Sequence, residues 1–212
     1  MTFHAEVITE DQQRAMREFA PIMSDRGFYL GGGTAVAIHL GHRRSVDLDW
    51  FRAQPLENPA QLAGEIQSAG ISFVLGGSER GSLHGTLHGV RTSFFEYRYP
   101  LLEPAVRWTD FGCEVASRAD LAGMKLLAIA QRGLRKDFVD VYALGMQALA
   151  LRQMLDWYCR KFGTEDTSRV LYSLSYFEDA EAEPMPQMLH DASWEEIKST
   201  IQQWVREAAE AD

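Results

Sequence analysis

The sequence predicts an α+β protein, with a mixed β-sheet flanked by helices and a helical C-terminal part. Up to residue 117, short strand-like runs and glycine turns alternate with amphipathic segments. From residue 118 onward, the apolar residues recur at helical spacing and no convincing strand remains. We therefore divide the chain into an α/β core at residues 1–117 and a helical C-terminal region at residues 118–212.

Composition and charge are those of an ordinary globular chain. The 212 residues are 46% hydrophobic, which is enough for a sizeable core. The net charge of −9 argues against a protein that coats nucleic acid, although it leaves room for a local basic pocket for phosphates. There is no stretch of roughly 20 apolar residues, no signal pattern and no cysteine spacing typical of zinc sites or disulfide frameworks. We expect a cytoplasmic protein with no membrane partner.

The N-terminal half is predicted to contain three helices and six strands. The helices are predicted at residues 9–26, 34–40 and 59–69, and Pro21 should kink or split the first of them. The strands are predicted at residues 28–30, 46–51, 71–75, 82–87, 90–99 and 111–116, with turns at Gly76-Gly77 and His88-Gly89.

The C-terminal half is predicted to contain five helices. They are expected at residues 120–132, 134–148, 151–162, 168–176 and 194 to about 209. Ser193 and Glu196 have the spacing of a capping box at the start of the last helix. Residues 177–190, which are rich in acids and prolines, are predicted to form a loop.

The most informative run is FYLGGGTAVAIHLGHRRSVDLDWF, residues 28–51, which predicts strand, glycine turn, helix, turn and strand. Gly32 and Gly33 suit a backbone that approaches phosphate closely at a helix N-terminus. Asp47 and Asp49 alternate with apolar residues, so both acids should lie on one face of the strand. Two neighbouring carboxylates are costly unless a cation lies between them, and Mg²⁺ often bridges carboxylates to phosphates.

A second informative run is RADLAGMKLLAIAQRGLRKDFVDVYAL, residues 118–144. Lys125 lies among apolar residues, either at the edge of a buried face or as a lysine that reaches a nucleotide phosphate. Asp137 and Asp140 are three residues apart and therefore share a helix face. Spacing alone does not decide whether these acids complement the helix dipole or belong to a site.

Several other polar residues are weaker candidates. Thr34 and Ser45 could supply hydroxyl contacts. Arg43 and Arg44 are either a solvated turn or neutralise phosphate, and a small basic entrance could combine them with Arg132, Arg135 and Lys136. We expect structural roles rather than a metal cluster for His39, His42, His84 and His88. The aromatic run at residues 94–97 is expected to be a central strand that packs the core.

Both runs resemble a known family. GGTAVAIHLGHRRSVDLDWF resembles the first motif of the AbiEii/AbiGii group of nucleotidyltransferase toxins, within the DNA polymerase β-like nucleotidyltransferase superfamily. RADLAGMKLLAIAQRGLRKDFVDVYAL resembles the second region of this group, a lysine-bearing helix followed by Lys-Asp-x-x-Asp. With the strand between them, the resemblance covers roughly residues 27–149. It implies the nucleotidyltransferase fold and metal-dependent transfer of a nucleotide from a nucleoside triphosphate.

The resemblance also implies residue roles and partners. Asp47 and Asp49 would be ligands of Mg²⁺ or Mn²⁺, and catalytic residues together with Lys125 and Asp137. By the resemblance, Gly32 and Gly33 would contact the triphosphate, Lys125 would contact a nucleotide phosphate, and Lys136 and Asp140 would also belong to the nucleotide site. Thr34, Arg44 and Ser45 are added as candidate nucleotide contacts from their own positions in the first run. Some members of the group are toxins that modify the acceptor end of transfer RNA and are paired with an antitoxin. The expected partners are thus a nucleoside triphosphate, an RNA acceptor such as tRNA, and an antitoxin protein.

One position departs from the superfamily pattern. The superfamily usually supplies a third carboxylate from a central strand, and the corresponding position here holds Ser93. Glu96 is the only acid of that strand, and by alternation it lies on the face opposite Ser93. Either Glu96 completes the site through a bulge, or the site has two acidic ligands. The alternative function is therefore a catalytically impaired nucleotide-binding or interaction protein on the same fold.

Overall fold

The structure, a computed structural model, describes residues 2–147 and 149–210. Its strands are β1 (Tyr29–Gly31), β2 (Leu48–Arg52), β3 (Phe73–Glu79), β4 (Ser82–Leu87), β5 (Val90–Glu96), β6 (Val106–Trp108) and β7 (Cys113–Val115). They form one seven-stranded sheet in the order β3-β4-β5-β2-β1-β7-β6. β1 pairs in parallel with β7 and β2 in parallel with β5, whereas the other neighbours are antiparallel. The predicted mixed sheet is confirmed.

Helices flank this sheet and make up the C-terminal part, as predicted. After a 3₁₀ turn at Ala5–Val7, the α-helices are α1 (Glu10–Asp25), α2 (Gly32–Leu40), α3 (Pro59–Ser68), α4 (Arg118–Gln131), α5 (Arg135–Met146), α6 (Leu151–Phe162), α7 (Ser168–Leu174), α8 (Glu178–Glu181) and α9 (Trp194–Glu210). Local signals set their starts: Thr9 and Gln12 form a capping box before α1, and the side chain of Ser117 caps α4.

The period-two pattern of β2 and β5 separates a core face from a polar face. Trp50 and Phe94 are fully buried on the core face, where Phe19 of α1 packs edge-on against them at ring-centroid distances of 5.8 and 5.5 Å. Burying aromatic rings of this size stabilises the fold by roughly 2–3 kcal/mol each. The opposite face therefore carries Asp49 and Ser93, which are register partners across the parallel pair.

Three local predictions were wrong. Pro21 does not split α1, which runs unbroken through it. Gly76 and Gly77 are not a turn but lie inside β3, at a register shift against β4; the hairpin turn instead uses Gly81, which has a φ of 84°. Strand β6 was missed. The glycine pair was misleading because glycine marks a bulge as readily as a turn.

The predicted strand at residues 46–51 begins later than expected. β2 starts at Leu48, so Asp47 precedes the strand and Val46 is 58% exposed rather than part of the apolar face. The predicted helix at residues 134–148 ends at Met146, and Ala148 lies outside the described residues. Helix α6 was predicted with its observed bounds. The loop predicted at residues 177–190 contains the short helix α8.

The division at residue 117 stays a prediction, although every strand of the described sheet precedes Ser117. Helices α4 and α5 pack directly on α2, so the C-terminal region shares an interface with the core. Within the described ranges, no helix is both long and apolar enough to cross a membrane.

Candidate active site

A cleft of about 700 Å³ lies where the polar face of β2 and β5 meets the N-terminus of α2 and the helices α4 and α5. Its wall contains nine of the residues predicted to form the site: Gly32, Gly33, Thr34, Arg44, Ser45, Asp47, Asp49, Lys125 and Lys136. The fold thus gathers residues that are more than 100 positions apart in the chain. Asp137 and Asp140 are fully buried and lie behind the wall instead.

The glycine turn brings the backbone of α2 against the acids. Gly32 has a φ of +64°, a left-handed conformation, and a Cβ at this position would lie 2.6 Å from Oδ2 of Asp49. A Cβ on Gly33 would lie 2.5 Å from Nη2 of Arg43. Gly31 caps α2 without any side-chain hydrogen bond, so the first N–H groups of the helix stay available for an anion.

We expect Gly32→Ala to impair both folding and nucleotide binding. The left-handed backbone alone costs an alanine about 1 kcal/mol, and the added methyl group would push against the Asp49 carboxylate. Gly64→Ala is the control, because Gly64 lies inside α3 with nothing near its Cβ position, and it should stabilise the protein by about 0.5–1 kcal/mol. Thermal unfolding with and without triphosphate measures both effects. Equal unfolding curves for the two variants would contradict the prediction.

The two acids of the cleft form an electrostatically strained pair. Burial and the neighbouring Asp47 carboxylate raise the pKa of Asp49, even though Lys125, Lys136 and Arg132 act in the opposite direction. Arg91 pairs with Asp47, with 2.8 Å between Nε and Oδ1, but its side chain is 72% exposed and free to turn away. The neighbouring cations thus do not compensate for burial and for the second carboxylate, so a divalent cation between Asp47 and Asp49 would favour the ionised form of the pair. Two neighbouring carboxylates are ligands of the kind that Mg²⁺ or Mn²⁺ takes in proteins.

The protein would hold such a metal with few ligands. Among the described residues, no group of three or more histidines, cysteines or acids could enclose an ion. Asp47 and Asp49 would therefore supply the protein ligands, and phosphate oxygens and water would fill the remaining positions.

The hydroxyl groups of Thr34 and Ser45 bind each other rather than pointing freely into the cleft. Their oxygens are 2.7 Å apart, and Thr34 also donates to the backbone carbonyl of Asp47. Both residues are buried. They tie the first turn of α2 to the chain that leads into β2, which fixes the distance between the helix N-terminus and the acids.

A buried ionic network lies behind the cleft and holds its cations. Nζ of Lys125 is 2.9 Å from Asp137 Oδ1 and 2.7 Å from Asp140 Oδ2. Arg43 donates to both oxygens of Asp140 at 2.7 and 2.9 Å, and Nε2 of His42 lies 2.8 Å from the same carboxylate. Arg132 forms a two-pronged contact with Asp137 at 2.9 and 3.1 Å. The network joins the turn after α2 to α4 and α5.

In this network, the effect of the neighbouring cations on the pKa values of the two acids is larger than the opposite effect of burial. Burial alone would raise the pKa of Asp140, but Arg43 and Lys125 hold it well below its usual value. Burial would likewise raise the pKa of Asp137, but Lys125 and Arg132 lower it below its usual value. Both acids are thus ionised at neutral pH.

Lys125 is therefore neither a lysine at the edge of a buried face nor a free arm in the cleft. It is 4% exposed, and its Nζ would lie 3.6 Å from a Cβ on Gly33. Asp137 and Asp140 hold this ammonium group beside the N-terminus of α2. The two acids thus hold Lys125 and Arg43 at the cleft wall, and the nucleotide contacts predicted for Lys125 and Asp140 stay predictions.

Basic side chains gather at the cleft although the protein is acidic overall. Its wall contains five basic side chains, Arg43, Arg44, Lys125, Arg132 and Lys136, against three acidic ones, Asp47, Asp49 and Glu96, whereas the chain has a net charge of −9. The predicted basic entrance is thus present except for Arg135, which donates to the backbone carbonyl of Ala180 at 2.9 Å and stacks over Trp194. Asp137 and Asp140, behind the wall, pair with Arg43, Lys125 and Arg132, so acidic and basic groups balance here; what the site offers a triphosphate is basic side chains held in fixed positions.

One end of the cleft has an aromatic wall that sequence reasoning assigned to the core. Phe51 and Phe95 stack at 5.2 Å, Tyr97 packs edge-on against Phe51, and all three line the cleft. Only Phe94 of the aromatic run lies in the core. Alternation along β5 would have identified this wall, because residues 95 and 97 share the face of Ser93. All three rings are half-buried, and Phe51 is stacked by Tyr29 as well as by Phe95. Aromatic rings in the wall of a cleft can stack a nucleobase.

The C-terminal half closes the cleft with a segment that no sequence signal indicated. Gln187 accepts a hydrogen bond from the backbone N–H of Arg44 at 2.8 Å, and Leu189 donates to the carbonyl of His42 at 2.9 Å. Pro186 and Gln187 line the cleft. The loop after α8 is thus part of the site rather than a connection.

The third carboxylate is not beside the other two. Ser93 occupies the register position next to Asp49. Glu96 borders the cleft, but it pairs with Arg52 in the register, and its carboxylate accepts hydrogen bonds from the backbone N–H of Leu56 at 2.9 Å and from Arg98. The carboxyl group of Glu96 is therefore engaged away from Asp49.

Solved structures of nucleotidyltransferases share this fold. MenT4, a nucleotidyltransferase toxin from Mycobacterium tuberculosis, superposes with a TM-score of 0.61 at 13% identity, over 95% of this chain and 83% of that chain. JHP933 from Helicobacter pylori gives 0.57 at 16% identity, over 99% and 94% of the two chains. A putative nucleotidyltransferase from H. pylori gives 0.54 at 17% identity, over 96% of both. At these identities, the similarity shows the fold alone.

Sequence comparison identifies the family. An uncharacterized protein of Aquifex aeolicus is 34% identical over 206 residues, which are 96% of this chain and 98% of that protein. The family described as nucleotidyl transferase AbiEii toxin, of type IV toxin–antitoxin systems, matches residues 88–210. The matched region starts after Asp47 and Asp49 and includes β5, the network helices α4 and α5, and the closing segment. The chain therefore belongs to the AbiEii nucleotidyl transferase toxin family.

Proposed function

We propose that this protein is a Mg²⁺- or Mn²⁺-dependent nucleotidyltransferase that transfers a nucleotide from a nucleoside triphosphate to an acceptor hydroxyl of RNA, with tRNA as the expected acceptor. One observation supports this function above the others. The cleft combines two neighbouring acids, of which Asp49 has a raised pKa, a helix N-terminus with available N–H groups, and five basic side chains. Each of these three features suits a metal-bound triphosphate.

Different residues of the cleft would bind different parts of the metal-bound triphosphate. Asp47 and Asp49 would hold the metal, which neutralises charge on the phosphates when it is bound. The backbone N–H groups of Gly32 and Gly33 would donate to phosphate oxygens, and Lys125 and Arg43 would place fixed positive charge beside them. Because the buried network holds both cations in place, they need no reorganisation when charge develops.

The reaction forms one bond and breaks another at the α-phosphorus. The acceptor oxygen attacks the α-phosphorus, and the bond to the bridging oxygen breaks, so that pyrophosphate leaves with its electron pair. Cations that face the outer phosphates, such as Arg44, Arg132 and Lys136, would stabilise the leaving pyrophosphate. The aromatic wall at Phe51 and Phe95 would stack a base of one of the two substrates.

The biological setting belongs to the same proposal. Family membership supports a role as the toxin of a toxin–antitoxin pair, with an antitoxin protein as partner. We place the protein in the cytoplasm, where nucleoside triphosphates and tRNA are available.

Incubation with each α-labelled triphosphate, Mg²⁺ and total RNA tests the proposal. We expect label to appear in RNA with one or more triphosphates, together with pyrophosphate, and to disappear when the metal is chelated. The alternative function is a nucleotide-binding protein without turnover, and it is motivated by Ser93 at the position where a third acid is expected. Calorimetry with the same triphosphates measures binding and so distinguishes this alternative from the transferase. Binding without transfer would favour that alternative, and no binding in the presence of Mg²⁺ would refute both.

A further inference from the structure

Three polar side chains, Asp49, Ser93 and His84, form a row across β2, β5 and β4 on the polar face of the sheet. The parallel register places Ser93 of β5 beside Asp49 of β2, and the antiparallel register places His84 of β4 beside Ser93. All three side chains therefore lie on one face, at one level. The other face at the same strands is the buried core of Trp50 and Phe94.

His84 and Ser93 form a hydrogen-bonded pair in this row. Nδ1 of His84 lies 3.2 Å from Oγ of Ser93. The imidazole also packs edge-on against the ring of Phe95, with centroids 5.5 Å apart, which fixes its plane. Among the residues that the structure describes, none hydrogen-bonds Nε2. When Nδ1 donates its proton to Ser93, Nε2 carries a free lone pair on the polar face of the sheet.

The pair lies just outside the triphosphate cleft. Phe95 and Asp49 belong to the cleft wall. Ser93, two residues before Phe95 on β5, and His84 on β4 lie outside this wall and are half-buried. Arg91 follows on the same face of β5 and is exposed, with its guanidinium over Asp47. A second substrate that approaches the acids along β5 and β4 would thus meet an arginine, a hydroxyl and an imidazole.

We propose that Arg91, Ser93 and His84 form the acceptor site and that His84 Nε2 accepts the proton of the attacking hydroxyl. As the acceptor oxygen forms its bond to the α-phosphorus, its proton passes to Nε2, and pyrophosphate leaves. The imidazolium then releases the proton to solvent. Ser93 is a positioning residue, because its hydrogen bond to Nδ1 fixes the orientation of the imidazole; in the tautomer with the proton on Nδ1, Nε2 can accept. Arg91 binds a phosphate of the acceptor chain.

This inference rests on the proposed function and explains how the site works without a third carboxylate. The lone pair of an unprotonated imidazole nitrogen can take up the proton that a carboxylate would otherwise accept. Among the described acids close to the row, Asp47 and Asp49 are the proposed metal ligands and Glu96 is engaged by Leu56 and Arg98. The His84–Ser93 pair is the remaining proton acceptor on this face.

His84→Asn tests the inference, because asparagine can keep the hydrogen bond to Ser93 while it removes the basic Nε2. We expect kcat for transfer to total RNA to fall about a hundredfold or more, with the KM for the triphosphate within about twofold of wild type. His88→Asn is the matched control. His88 is half-buried in the β4–β5 turn with a φ of 50°, which asparagine tolerates, and it contacts Glu18 rather than the row.

Chemical rescue and a hydroxyl series make the test specific. His84→Ala with added imidazole should regain at least about tenfold of its lost rate, because a free base can enter the space beside Phe95. Ser93→Thr should keep most of the activity, whereas Ser93→Ala should lower kcat without weakening triphosphate binding. A purely structural role would show neither the rescue nor this difference.

The outcomes separate this inference from the proposed function. If wild type transfers the label and His84→Asn retains its kcat, the proton-acceptor role is wrong while the nucleotidyltransferase function stands. Loss of rate in His84→Ala without rescue, in a variant that melts like wild type, would also overturn the role. If wild type transfers nothing to RNA, both the proposed function and this inference are refuted.

Discussion

Asp49→Asn is expected to abolish nucleotide transfer while leaving the protein without ligands at least as stable as wild type. The carboxylate is one of two proposed metal ligands, and its amide replacement carries no charge. We expect transfer to fall by a factor of about a thousand or more, which corresponds to ~4 kcal/mol of transition-state stabilisation. Labelled transfer to total RNA at saturating triphosphate and Mg²⁺ measures the loss.

The sign of the stability effect follows from the raised pKa of Asp49. Burial and Asp47 favour the protonated form in the folded state, so ionised Asp49 reduces the free energy of unfolding at neutral pH. That cost fades as the pH falls and the carboxyl group becomes protonated. The neutral amide removes it, so Asp49→Asn should unfold at the same or a higher temperature than wild type near pH 7.

Ligand-induced stabilisation provides the internal control for this prediction. Wild type should melt at a higher temperature when Mg²⁺ and triphosphate are added together, and Asp49→Asn should lose most of this gain. Asp11→Asn, at an exposed pair with Arg14 on α1, should change neither transfer nor the ligand effect. Transfer by Asp49→Asn within tenfold of wild type would show that Asp49 is not a metal ligand.

The sequence predicted which residues line the cleft better than it predicted the ends of the strands. The glycine turn, the helix α2 and the two acids follow one another in the sequence. Local patterns were therefore sufficient to place Gly32 beside Asp49. The start of β2 was misplaced because Val46 continues the alternation, yet nothing covers it in the fold. Burial depends on which element packs over a residue, and a single sequence does not contain that information.

The long-range parts of the site were beyond local patterns. No local pattern indicated that Arg43, 97 residues earlier, pairs with the carboxylate of Asp140; the predicted contact of Asp140 to a nucleotide stays a prediction. The closing segment at Gln187 binds through backbone groups, which have no sequence signature. The row from Asp49 to His84 depends on two strand registers, and the misplaced turn at Gly76-Gly77 shows that the course of even a neighbouring strand was not predictable. Register depends on tertiary packing as well as on turn geometry.

The network behind the cleft connects stability with function. Asp140 is the shared partner of Arg43, Lys125 and His42, and two of these three face the proposed phosphate site. Buried ion pairs of this kind often contribute little net stability compared with an apolar core. Their value here is geometric, because they hold two cations beside α2 at positions that flexible side chains would not keep in water.

Asp140→Asn is expected to be the most destabilising substitution in the site. It leaves the guanidinium of Arg43 buried without its carboxylate and removes one of the two acids around Lys125. Removing one partner of a buried pair costs about 3–5 kcal/mol in the free energy of unfolding. Urea unfolding at pH 7, followed by circular dichroism, measures it, and Asp11→Asn at an exposed pair should cost less than about 1 kcal/mol.

The pH dependence of this loss has a defined direction. The pKa of Asp140 is well below its usual value in the folded state, so its stabilisation is fully present above the unfolded-state pKa of about 4. It is lost as the pH falls through the lower folded-state pKa. The difference in the free energy of unfolding between wild type and Asp140→Asn should therefore be constant near neutral pH and shrink below about pH 4.

A double-mutant cycle assigns the cost to the pair rather than to Asp140 alone. Arg43→Met removes the cation that Asp140→Asn would leave unpaired, so the double variant should be more stable than the sum of the single losses predicts, by about 1–3 kcal/mol. Additive losses would show that Arg43 and Asp140 are not coupled. The double variant should also bind triphosphate more weakly than wild type even where it is folded, because Arg43 no longer places a charge beside Gly33. Wild-type affinity in a folded double variant would separate the network from the function and leave it a structural feature only.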